Sequence, residues 1–156
     1  MCKFSSNTAY KDGGAMAVTI TNAIVITNVI FVTNIAKVSG GGLYFETCDN
    51  INSKFLYMLS NKAVYFLSGE KLTFKGCMFT KNDAGSGGAL VTKDLVVLKT
   101  VSTYFVEIWH CFMMQGLYIL KDPPFLSIQN VFFVSNNAKQ LGVAMYITGE
   151  RAKSKC

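Results

Sequence analysis

The chain has 156 residues, is 51% hydrophobic and only 15% charged, and carries a formal net charge of +6. That apolar content excludes a disordered chain, and the length suits one domain, residues 1–156. So little charge is too little polar surface for an ordinary globule, but it suits a solenoid, which buries a long continuous core and covers itself in Ser, Thr, Asn and Gly.

Taken in chain order, the first element is Phe4-Ser5-Ser6-Asn7, followed by Ala9 and Gly13-Gly14-Ala15-Met16. The same order returns as Phe31-Val32-Thr33-Asn34 with Gly41-Gly42, then as Phe79-Thr80-Lys81-Asn82 with Gly87-Gly88. A worn copy, Phe133-Val134-Ser135-Asn136 with Gly142, comes near the end. Two fainter copies fill the gaps, one at Met58-Leu59-Ser60-Asn61 and one at Phe105. The anchors Phe4, Phe31, Met58, Phe79, Phe105 and Phe133 are thus 27, 27, 21, 26 and 28 residues apart. Recurrence at this period predicts stacked coils, about six when counted by anchors.

Between anchors lie short β-branched runs divided by polar corners, such as Ala23-Ile24-Val25-Ile26 between Thr21-Asn22 and Thr27-Asn28. They are too short for helices. Three short strands per turn predict an all-β parallel β-helix, with neighbouring coils about 4.8 Å apart. In it the phenylalanines point inward and stack. The asparagines sit at corners, where they tolerate unusual backbone angles and bond the next asparagine along the axis, and the glycines permit positive φ. Residues 15–35 and 101–120 are apolar enough to resemble membrane spans, but Asn22, Asn28 and Asn34 interrupt the first, and Glu107, His110 and Gln115 the second.

A second file collects acid. Asn22, Asp49, Glu70, Asp94, Asp122 and Glu150 are expected at the corner after the glycine strand. Lys71, Lys93, Lys121 and Arg151 stand beside four of them, which suits a solvated, charge-balanced turn; the sharper alternative is an interaction ridge for a cation or sugar, centred on unbalanced Asp49. The lysines read as scattered singly at turns, and with Arg151 the only arginine, nucleic acid is not an expected partner. Cys2, Cys48, Cys77, Cys111 and Cys156 form no Cys-x-x-Cys pair, so they read as small apolar residues rather than a zinc or redox site. His110, between Trp109 and Cys111, reads as a packed residue. Neither cofactor nor metal nor catalytic group is expected.

Phe-x-x-Asn followed by Gly-Gly-Ala-Leu or Gly-Gly-Ala-Met resembles the repeat of the chlamydial polymorphic outer membrane proteins, whose relatives also occur among surface proteins of some single-celled eukaryotes. The similarity spans nearly the whole chain. It implies a right-handed parallel β-helix forming the extracellular passenger of an autotransporter, at the outer membrane or cell surface. It also implies adhesion to a host or neighbouring-cell surface protein or glycan. The family associates both tetrapeptides with adhesion, here Phe4, Asn7, Phe31, Asn34, Phe79, Asn82, Phe133 and Asn136 with their glycines. The chain starts inside a repeat without a secretory signal, and neither end shows a polar cap or a β-barrel. These features predict a fragment whose partners include further coils of a parent protein. The alternatives are a pectin-lyase-like carbohydrate-active enzyme, for which fold alone is no warrant, and a gene-model fragment without independent function.

Overall fold

The computed structural model describes residues 1–62, 64–83, 88–108, 117–120, 125–137 and 145–148. Among the described residues the chain is strand and turn, without a helix. In order the strands are β1 (Cys2–Ser5), β2 (Thr8–Ala9), β3 (Met16–Val32), β4 (Ile35–Ala36), β5 (Leu43–Leu59), β6 (Val64–Lys75), β7 (Met78–Thr80), β8 (Leu90–Val101), β9 (Tyr104–Val106), β10 (Leu117–Leu120), β11 (Phe125–Gln129), β12 (Phe132–Val134) and β13 (Met145–Thr148). Eleven of them form one sheet, while β2 and β4 pair separately. Every strand pairing is parallel.

The repeat anchors lie in register. Phe4 pairs with Phe31, Phe31 with Met58, Met58 with Phe79, Phe79 with Phe105, and Phe105 with Phe133. The molecule is therefore a parallel β-solenoid, of about four turns where counting anchors implied six. Six anchors bound only five intervals, and much of the last lies outside the described residues. β3 and β5 are 17 residues each, longer than the expected short runs, because interstrand pairing continues around the corners.

The corners are made by left-handed backbone at recurring positions. One file is Ile20, Thr47, Ser68 and Asp94, with φ between 53° and 60°; another is Asn28, Phe55, Gly76, Ser102 and Asn130, with φ between 48° and 62°. The last is the third residue of each repeat copy, counted from its anchor: Ser6, Thr33, Ser60, Lys81, Glu107 and Ser135, at 49° to 56°. The asparagine itself is not the residue with positive φ, which differs from the sequence expectation. The residue before it makes the bend, turning the asparagine side chain into the coil. Such backbone is disfavoured for residues bearing a Cβ. Here the coil-to-coil ladder holds it: the N–H groups of Ser6, Thr33 and Ser60 donate to Val32, Leu59 and Thr80 carbonyls at 2.9 to 3.0 Å.

Inward positions follow the period of two expected of strands. One inward file runs Ile24, Ile51, Leu72, Leu98, Leu126, and its neighbour Ile26, Ser53, Phe74, Thr100, Ile128. Phe31, Phe45, Phe66, Phe74, Phe79 and Phe105 are fully buried, each contributing about 1.5–3 kcal/mol of burial. Three hydroxyls interrupt this core: Ser53, Thr92 and Thr100 are fully buried, and their side-chain oxygens have no hydrogen-bond partner among the described residues. Thr100→Val keeps the shape and removes the unpaired hydroxyl. It is expected to raise stability by about 1 kcal/mol, read as a higher urea midpoint at unchanged slope.

Candidate functional site

The repeat-motif side chains are occupied inside the coil. Phe4 stacks on Phe31 with ring centroids 5.1 Å apart, Phe79 on Phe105 at 4.9 Å, and Phe105 on Phe133 at 5.0 Å, all within 8° of parallel. One turn on, the asparagines form a ladder. Asn34 Oδ1 accepts the Asn7 backbone N–H at 3.0 Å and its Nδ2 at 2.8 Å; Asn61 Oδ1 accepts the same two donors of Asn34, each at 2.9 Å. Asn82 Oδ1 accepts the Asn61 N–H at 2.9 Å. The Nδ2 groups of Asn34, Asn61 and Asn82 donate to the carbonyls of Phe4, Phe31 and Met58. Ile108 replaces asparagine in the next coil, where its N–H donates to Asn136 Oδ1 at 3.0 Å.

The glycines stack one position away from the sequence alignment. Gly13 and Gly40 share positive φ, at 65° and 61°, and Gly14 lies against Gly41 so closely that a Cβ would strike the Gly41 and Ile35 carbonyl oxygens. Gly42 then stacks on Ala15. Gly88 is buried, and Gly87 and Gly142 lie outside the described residues.

The acidic ridge is not one file. Pairing of Ala23 with Asn50, and of Asn50 with Lys71, sets Asn22, Asp49 and Glu70 in line. Lys71 then pairs with Val97, so Val96 follows Glu70, and Asp94 lies two positions away, in the left-handed corner file with Ser68. The alignment on glycines missed this offset. Among the described residues, ion pairs join Lys11 to Asp12 at 3.9 Å and Lys81 to Glu107 at 3.6 Å, and neither involves Asp49 or Glu70. Asp122 and Glu150 lie outside the described residues, as do His110, Cys111 and Cys156. No three His, Cys, Asp or Glu side chains among the described residues are grouped to hold a metal ion.

Cys48 and Cys77 are fully buried, whereas Cys2 is exposed. Burial pushes the Cys77 thiol up to about 11, outweighing the lowering effect of nearby backbone hydrogen bonds. Its folded value stands above the unfolded value of about 8.5, so this contribution to stability is whole below that pH and is lost as pH rises towards 11. In the folded chain at pH 8.5, iodoacetamide is expected to modify Cys2 within minutes and leave Cys77 untouched, as read by peptide mass mapping.

Two outward faces are organised. On the first, the strand segments 50–54, 71–75, 97–101 and 125–129 bring Lys54, Lys71, Lys75 and Lys99 together with Asn52, Thr73 and Gln129 around an open groove of about 410 Å³. Among the described residues, no carboxylate and no aromatic ring lines it. These lysines are in strands, not scattered at turns as the sequence reading has them. Lys54 pairs directly with Lys75, and Lys99 with Thr73. Across the corner that contains Phe55 and Gly76, the outer side of the next strand segment carries Tyr57, Met78, Tyr104 and Phe132 in one file and Leu59, Thr80, Val106 and Val134 in another. Tyr104 and Phe132 are stacked at 4.9 Å while 41% and 49% exposed.

Comparison with protein-family models, with curated proteins and with solved structures finds no match to this chain.

Proposed function

We propose that the chain is a non-catalytic interaction module of adhesion type, presenting the outward faces of a β-helix to a cell-surface protein or glycan. One observation carries this reading: the repeat residues are engaged with one another inside the coil, while two adjacent outward faces, one basic and one aromatic, carry side chains that the fold itself does not use. An exposed apolar and aromatic surface of this kind marks interaction sites. The resemblance of the motif pair to the polymorphic outer membrane protein repeat supports the same reading, with display at a cell surface as part of a secreted parent. Among the described residues, 16–28 of β3 have no strand partner on the side away from β5, and Ile20 and Val25 there are 82% and 73% exposed. That open edge is suited to further coils.

The test is saturable binding of the fluorescently labelled full chain to intact epithelial cells, run beside a polygalacturonate depolymerisation assay with and without calcium. Saturable binding and an intact polymer are the expected results. Calcium-dependent shortening of the polymer, or binding that never saturates, overturns the reading.

A further inference from the structure

We infer that the lysine groove binds a sulfated polysaccharide; this rests on the interaction-module reading and names its ligand class. Lys54 and Lys75 are register partners on adjacent parallel strands, which sets their Cα atoms about 4.8 Å apart with both side chains outward. Like charges directly opposite one another destabilise a sheet, and no carboxylate among the described residues lines the groove to offset them. Lys71 lies about 13 Å along the strand from Lys75, and Lys99 one strand further on. Such an array fits a ligand with several anionic groups only a few ångströms apart, as sulfate esters on neighbouring sugar positions are.

The uncharged lining fits a sugar as well. Asn52 and Thr73 are register partners between the lysines, and their polar side chains suit the hydroxyl groups of a sugar. Lysine ammonium groups act as point charges, matching tetrahedral sulfate, whereas bidentate recognition of carboxylates favours arginine. Single-stranded nucleic acid is disfavoured because binding it relies on aromatic platforms for the bases, and the described residues of this groove include none.

The experiment measures binding of the full chain to immobilised heparin at physiological salt, with polygalacturonate and an oligo-dT strand as parallel probes. Wild type is expected to bind heparin at least tenfold tighter than either other probe. The Lys54→Gln/Lys75→Gln variant is expected to lose about tenfold of that affinity and to show a shallower salt dependence. Its thermal midpoint should hold or rise, since a like-charge pair is relieved. The Lys3→Gln/Lys62→Gln variant removes equal charge elsewhere and should bind as wild type does. Equal loss in both variants, or tighter binding of oligo-dT or polygalacturonate, overturns the proposal. Cell binding that persists without heparin binding overturns this ligand class alone; absence of both overturns the interaction-module reading too.

Discussion

Phe79→Ala is expected to cost about 3–5 kcal/mol, enough to unfold most of the chain if its total stability is typical of a small domain. Phe79 is fully buried, stacked on Phe105 at 4.9 Å and met edge-on by Phe74 at 5.3 Å. Truncation removes the apolar surface of one ring and leaves a cavity that the coils above and below cannot close, because each is fixed by its own backbone ladder. Any ligand binding would vanish with the fold. Tyr104→Ala, one residue before Phe105 but on the outer face, is the comparison: it should cost about 1 kcal/mol or less. Chemical denaturation of both variants checks the pair. Similar losses would mean that Phe79 is not the inward residue.

Asn61→Asp is expected to cost about 3–5 kcal/mol at neutral pH. Asn61 is 2% exposed, and its Nδ2 donates to the Phe31 carbonyl at 2.9 Å and the Leu59 carbonyl at 3.1 Å. One oxygen of a carboxylate there keeps the two bonds donated by Asn34, but the other faces two carbonyl oxygens with no donor to offer. The carboxyl should therefore hold its proton in the folded chain to a pH above the unfolded value of about 3.9. The charge penalty is absent below that unfolded value, where a protonated carboxyl again donates one bond, and it grows as pH rises from there to the folded value. Denaturation at pH 3.5 and pH 7 should show the variant gaining on wild type at the lower pH. A pH-independent difference would remove the asparagine ladder from the account.

The solenoid was legible because its strongest signal is chemical and repeated. An anchor every 21 to 28 residues, phenylalanine in five of six copies and followed three positions later by asparagine in five of six, has few meanings other than stacked coils. The corners were less legible. Left-handed backbone usually announces itself as glycine, but here Thr33, Ser60, Lys81 and Glu107 adopt it, held by hydrogen bonds to the next coil that no local sequence encodes. Gly40-Gly41-Gly42 offers two alignments with Gly13-Gly14, and only the register of Met16 with Leu43 decides between them. Asp94 was misplaced for another reason: the coil before it has no glycine pair, so nothing in the sequence shows that Asp94 follows Ser68 rather than Glu70. The lysine face was hidden for a related reason: Lys54 and Lys75 are one coil of 21 residues apart, whereas Thr73 and Lys99 are separated by 26, so unequal coils conceal a shared face.

The in-register stacking of coils is tested most directly by a pair of cysteines placed one coil apart. Ser6 Oγ and Thr33 Oγ1 lie 3.1 Å from each other although 27 residues separate them in sequence. In a chain with Cys2→Ser, the double variant Ser6→Cys/Thr33→Cys should form an intrachain disulfide under mild oxidation, seen by non-reducing peptide mapping. Ser6→Cys/Ser60→Cys spans two coils, about 9.6 Å between Cα atoms, beyond the reach of a disulfide, and should stay reduced. A bridge at 6/60 with none at 6/33, or neither bridge in a chain that is folded by circular dichroism, would contradict the solenoid.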